Sequence, residues 1–137
     1  MLNCFKFHHI GVAVKDINKT AAIYEAGGYT VSNTILDPIQ NVNICWLTKE
    51  GMPTVELLEP INETSPVCKT LEKNGVTPYH TCYTVDNIDE AVAELRKMKY
   101  VVVSKPVEAV AIHNCKVCFL YNKNIGLIEL VETQAII

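Results

Sequence analysis

Ile10, Val12 and Val14 alternate with His9, Gly11 and Ala13, and this period of two predicts a β-strand over Phe7–Val14. Asp16 then stands where a side chain can accept from a free N–H of a helix's first turn. The helix runs to about Ala26, and Gly27-Gly28 stops it. Tyr29–Thr34 reads as a strand, Asp37-Pro38 as a turn, and Asn41–Thr48 and Thr54–Glu59 as two further strands around Lys49-Glu50-Gly51. A linker over Pro60–Pro66 leads into a short helix, about Val67–Asn74, ended by Gly75. The pattern then starts again. Tyr79–Val85 is a strand, and Asn87 or Asp86 caps a helix to about Met98 with Ile88, Ala91, Val92 and Leu95 on one face. Tyr100–Ser104 is a strand and Pro106–Asn114 a long loop. Cys115–Tyr121 and Leu127–Glu132 form a hairpin around Asn122–Asn124.

The two passes are copies. His9-Ile-Gly-Val-Ala-Val returns 71 residues later as His80-Thr-Cys-Tyr-Thr-Val, and Tyr29 returns as Tyr100. Trp46…Glu56-Leu57…Glu59 returns 73 residues later as Phe119…Glu129-Leu130…Glu132, so two residues are inserted between. A period this long is too great for a solenoid and predicts an internally duplicated α+β domain, two tandem βαβββ modules whose halves form one curved or paired sheet. The expected spans are 6–60 for module one, 61–76 for the linker helix and 77–133 for module two, within a single domain over 1–137.

Composition narrows the functional classes. A 49% hydrophobic, 20% charged chain is an ordinary globule, and a net charge of −3 without a basic patch argues against nucleic acid and anionic membranes as partners. No apolar run reaches the roughly 18 residues of a membrane span, and the first residues lack a signal-peptide pattern, so the expected location is cytoplasmic. The six cysteines then read as reduced, mostly buried thiols. Strand alternation turns Cys115 and Cys118 to opposite faces, which rules out a zinc knuckle there.

The candidate chemistry lies in the matched His and Glu. Alternation places His9 with Gly11 and Ala13, and His80 with Cys82 and Thr84, leaving room for a ligand. The opposite faces are suited to helices, and His8 falls on one of them. Glu56 and Glu129 each interrupt an apolar strand, which is unfavourable unless the carboxylate is paired or coordinated. Two histidines and two glutamates suit Ni²⁺, Co²⁺, Zn²⁺, Fe²⁺ or Mn²⁺ with positions left open. Glu59 and Glu132 are matched too, but their opposite parity at strand ends makes them solvated edge charges. His113 has no repeat partner, and Arg96, the one arginine, reads as a solvated helix residue.

These motifs resemble the vicinal oxygen chelate superfamily over about residues 6–133. The closest likeness is to its glyoxalase I and methylmalonyl-CoA epimerase branch, and Glu63-Thr-Ser-Pro66 through Leu71–Gly75 is most similar to the epimerases. The resemblance implies a curved mixed-sheet half-barrel with a metal site in its concave face, a homodimer, and His9, Glu56, His80 and Glu129 as ligands of one divalent ion. The implied reaction is proton transfer at a carbon next to a carbonyl, with Glu129 as base and Glu56 as its symmetric partner. The epimerases carry an acid just before the third strand, where this chain has Ile39-Gln40, and a glycine-rich loop where Pro106–Asn114 has no glycine. On that ground the leading expectation is a glyoxalase I (lactoylglutathione lyase)-like enzyme acting on a thiol hemithioacetal, with a cosubstrate such as glutathione. An epimerase of an acyl thioester comes second, and a non-catalytic resistance-type binding protein third.

Overall fold

The computed structural model describes residues 2–133, so the expected span 1–137 runs beyond the described residues at Met1 and at 134–137. Two compact units divide the chain. The first holds residues 9–79, and the second holds residues 80–133 together with 2–8.

The first unit contains most of β1 (Lys6–Ala13), then α1 (Ile17–Ala26), β2 (Thr30–Val31), β3 (Ile35–Asp37), β4 (Val42–Thr48), β5 (Val55–Pro60) and α2 (Val67–Asn74). Its strands lie in the order β2-β4-β5-β1, with β3 also on β4. β1 and β5 are parallel, with Gly11 opposite Glu56, and β4 and β5 are antiparallel, with Trp46 opposite Glu56. One sheet face carries α1. Val14, Ile17, Ala21, Cys45, Leu47, Val55 and Leu57 pack there, joined by Val12 and Val31. α2 packs on β5 through the buried Val67 and Leu71, so the expected linker helix is part of this unit. Gly75 ends it at a φ of 70°, a value that disfavours a side chain.

The second unit contains most of β6 (Thr77–Val85), then α3 (Ile88–Lys97), β7 (Val101–Ala109), β8 (Cys115–Asn122) and β9 (Gly126–Glu132). The order β6-β9-β8-β7 reproduces the first unit's β1-β5-β4-β2, and Cys82 and Phe119 stand opposite Glu129 as Gly11 and Trp46 stand opposite Glu56. α3 covers the face built by Val85, Leu95, Cys118, Leu120, Ile128 and Leu130. The chain's first residues belong here: the rings of Phe5 and Phe7 lie 6.4 and 6.1 Å from that of Tyr83, and the Thr84 hydroxyl donates to the Lys6 carbonyl. Module one as read from the sequence therefore loses the start of its first strand to the second unit.

Two elements differ from the pattern-based reading. The expected strand Tyr29–Thr34 is two short pieces, β2 and β3, broken at Ser32–Thr34. Ser32 is the reason: its hydroxyl oxygen accepts from the Trp46 N–H at 2.8 Å and so replaces a ladder bond. The expected loop over Pro106–Asn114 is strand as far as Ala109, followed by a 3-10 turn over Val110–Ile112. β7 tolerates Pro106 because it lies at the end of the strand order, and its register shifts twice, between Val102 and Ser104 and between Ser104 and Val107.

Candidate metal centre

In the first unit, His9 comes from β1 and Glu56 from the neighbouring β5. The imidazole Nε2 lies 3.2 Å from Glu56 Oε1, with both residues buried. Trp46 meets the His9 ring edge-on at 4.9 Å and 81°. The second unit repeats this. His80 Nε2 lies 3.1 Å from Glu129 Oε1, and Phe119 meets the His80 ring edge-on at 5.2 Å and 90°. Each aromatic ring excludes water from a polar pair in an apolar face, where an uncompensated carboxylate would be very costly.

The donor set fits a divalent cation. An N···O separation of 3.1–3.2 Å suits a hydrogen-bonded imidazolium–carboxylate pair. It is also about the spacing of two ligands sharing an ion at roughly 2.0–2.2 Å each. Imidazole nitrogen with carboxylate oxygen is the chemistry of Zn²⁺, Co²⁺, Ni²⁺, Fe²⁺ and Mn²⁺ sites.

On each sheet the helix-free face shows where a small molecule can reach the pair. On one side of Glu56 the next row of that face, Ile44 and Leu58, is buried. On the other side it is open, at Thr48 and Thr54. The second unit is the same: Val117 and Val131 are buried on one side of Glu129, while Tyr121 and Leu127 are open on the other. Access to each His–Glu pair thus comes from the β4–β5 turn and from its counterpart, the β8–β9 turn.

Glu59 and Glu132 are not the solvated charges their parity suggested. Glu59 Oε2 accepts from the Ile17 N–H at 2.8 Å and Oε1 from the Asn43 amide at 3.0 Å, while Glu132 Oε2 accepts from the Ile88 N–H at 3.0 Å. Each carboxylate closes the N-terminus of the helix on its own unit, where free N–H groups and the helix dipole favour negative charge. The partners are 42 and 44 residues apart in the chain, so no local pattern could announce them. Asp16 and Asn87 supply the conventional caps, accepting from Lys19 and Glu90 N–H.

The remaining candidates stand apart from the pairs. Arg96 is exposed on α3, and His113 is exposed at the end of the 3-10 turn with a φ of 52°. His8 is half-buried. One acid went unremarked in the sequence: Asp37 is 1% exposed. Its Oδ1 accepts from the Ile39 and Gln40 N–H groups and its Oδ2 from the Gln40 amide at 2.8 Å. It is the acid nearest to Ile39-Gln40, and these three hydrogen bonds occupy it in holding its turn. All six cysteines are free. Cys118 is buried on the α3 face and donates to the Ser104 carbonyl, while Cys115 is buried at the opposite parity.

The family model of the glyoxalase/bleomycin resistance protein/dioxygenase superfamily matches residues 8–119. The mitochondrial methylmalonyl-CoA epimerase of Homo sapiens is 35% identical over 95% of this chain and 75% of its own length. The ethylmalonyl-CoA/methylmalonyl-CoA epimerase of Cereibacter sphaeroides is 30% identical over 93% and 97%. A solved methylmalonyl-CoA epimerase in complex with methylmalonyl-CoA and NH4+ superposes with a TM-score of 0.83 at 29% identity, covering 98% of each chain.

Proposed function

Given that the chain belongs to the glyoxalase/bleomycin resistance protein/dioxygenase superfamily, in its vicinal oxygen chelate branch, we propose that it is a divalent-metal-dependent epimerase of a short 2-substituted acyl-CoA. The observation that carries this reading is the matched, buried His–Glu pair in each unit, in a chain whose relatives are named as epimerases of this kind. His9, Glu56, His80 and Glu129 would together hold one ion. When bound, that ion supplies a Lewis acid that favours the enolate of a thioester. Glu129 takes the α-proton, and Glu56, its counterpart, is the second proton carrier, so that hydrogen can return on either face of the α-carbon. His9 and His80 fix the carboxylates, and Trp46 and Phe119 keep bulk water from them.

The relatives move the balance away from a lactoylglutathione lyase. The second reading nevertheless keeps one supporting observation. Asp37 is consumed by its turn, so no acid near Ile39-Gln40 is free to act as the further base that the epimerase resemblance calls for. A glyoxalase I-type enzyme needs only the metal-site glutamates. On either reading Glu129 is the base.

The deciding measurement is α-proton exchange in heavy water, followed by NMR on metal-loaded protein with methylmalonyl-CoA and, in parallel, with the hemithioacetal of methylglyoxal and glutathione. Exchange of the thioester is expected. Glu129→Gln should slow it by about 10²–10⁴-fold, the usual worth of a general base, with the circular dichroism spectrum unchanged. Turnover of the hemithioacetal alone would replace the epimerase reading with the lyase.

A further inference from the structure

The duplication preserved both His–Glu pairs but not the open row beside them. In the second unit that row is Val101, Tyr121 and Leu127, linked across the sheet by the pairings Val101↔Tyr121 and Tyr121↔Leu127. In the first unit the matched positions, by the same offsets of 71 and 73 residues, are Thr30, Thr48 and Thr54, with Thr30 opposite Thr48. Cross-strand partners share a face. Tyr121 lies two residues from Phe119 and Leu127 two from Glu129, so the row lies on Glu129's face. The intervening Val102, Leu120 and Ile128 pack under α3.

The fold does not require apolar residues there. The same backbone positions in the first unit accept three threonines, equally open to solvent. Val101 is 63% exposed and Tyr121 47%, beside a half-buried Leu127. Three apolar side chains kept in water, one row from a buried carboxylate and on its only open side, call for an apolar ligand group.

We propose that Val101, Tyr121 and Leu127 form the wall that reads the acyl portion of the substrate. On the thioester reading above, the group lying on it is the hydrocarbon chain of the acyl-CoA. Selectivity by chain length is then set in the second unit alone, since the threonine row offers no comparable apolar surface.

The test is calorimetric binding of acetyl-, propionyl-, butyryl- and hexanoyl-CoA to the metal-loaded full chain, with wild type and Tyr121→Thr/Leu127→Thr compared. In wild type each added methylene should tighten Kd by up to about fourfold. The double variant should flatten the series, losing most for hexanoyl-CoA and least for acetyl-CoA. Val101→Thr, on an exposed strand, is a second variant expected to act in the same direction. A flat wild-type series would overturn the wall. So would a wild-type slope surviving in the variants, including the case where they only turn a dimer into a monomer by sedimentation, which would assign the row to a second copy. Measuring α-proton exchange on the same samples separates the two claims. A chain-length slope without exchange keeps the wall and removes the epimerase. Exchange without a slope does the reverse.

Discussion

Parity along a strand decides which of two adjacent histidines can serve chemistry. His9 shares a parity with Gly11 and Ala13 and is fully buried beside Glu56, whereas His8 takes the opposite parity. The same rule separates Cys115 from Cys118. Burial pushes the Cys118 thiol up to about 11, with a smaller contribution from the Asp89 carboxylate, and burial also raises Cys115 and Tyr100. All three favour the protonated form in the folded chain. Their stabilising effect is therefore complete below the unfolded thiol value of about 8.5 and is lost as pH rises through about 11 for Cys118. Urea midpoints should fall between pH 8.5 and 11, and Cys118→Ala should shallow that fall even if it lowers the midpoint at neutral pH. An unchanged slope would mean that Cys118 is not the group responsible. Glu59 and Glu132 show the limit of parity. It marks the face a side chain takes but not the helix end waiting there.

At the scale of elements, the two copies close their helices with the same hydrogen bonds and different residues. Gly28 N–H donates to Glu25 and Tyr29 N–H to Tyr24, and their counterparts Lys99 and Tyr100 donate to Arg96 and Leu95. Gly28 has a φ of 94°, while Lys99 holds the left-handed region at 71° with a full side chain. That conformation costs a residue with a Cβ about 1–2 kcal/mol, only partly offset by the greater freedom of glycine in the unfolded chain. Lys99→Gly should therefore raise stability by about 0.5–1 kcal/mol in urea titration with the m-value unchanged. A loss would show that the Lys99 side chain contributes more than its backbone costs. Helix spans and caps were legible because their signals are local: Asp16, Asn87 and Gly75 act within a few residues of themselves. The extension of β7 through Pro106 was not, because a proline's place in a strand depends on whether that strand lies at an edge.

For the whole molecule, the quantity to measure is the linkage between metal and stability. On the proposed ligand set an ion binds only the folded chain, so at 100 times its Kd it should add about 2.7 kcal/mol. Thermal shifts with Co²⁺, Zn²⁺ and Ni²⁺ should disappear with a chelator and in His80→Ala. A shift that persists in that variant would place the ion elsewhere. No helix among the described residues is long and apolar enough to cross a membrane. The choice between lyase and epimerase also belongs to this scale. One missing acid at Ile39-Gln40 is a local signal and pointed to the lyase. Identity spread over 95% of the chain points to the epimerases.

The sequence by itself determined the duplication, the α+β class and the pairing of each His with a Glu. These follow from periodicity and from the cost of burying a carboxylate in an apolar strand, and both can be read from residues near one another in the chain. Tertiary structure decided what depends on distant partners. It brought Trp46 and Phe119 edge-on to the histidines, turned Glu59 and Glu132 into helix caps, and occupied Asp37 within its own turn. It also showed that the row beside Glu129 is apolar where the row beside Glu56 is threonine. Which residues stand next to one another across a sheet is set by register, and register is set by the packing of the whole face rather than by any one strand.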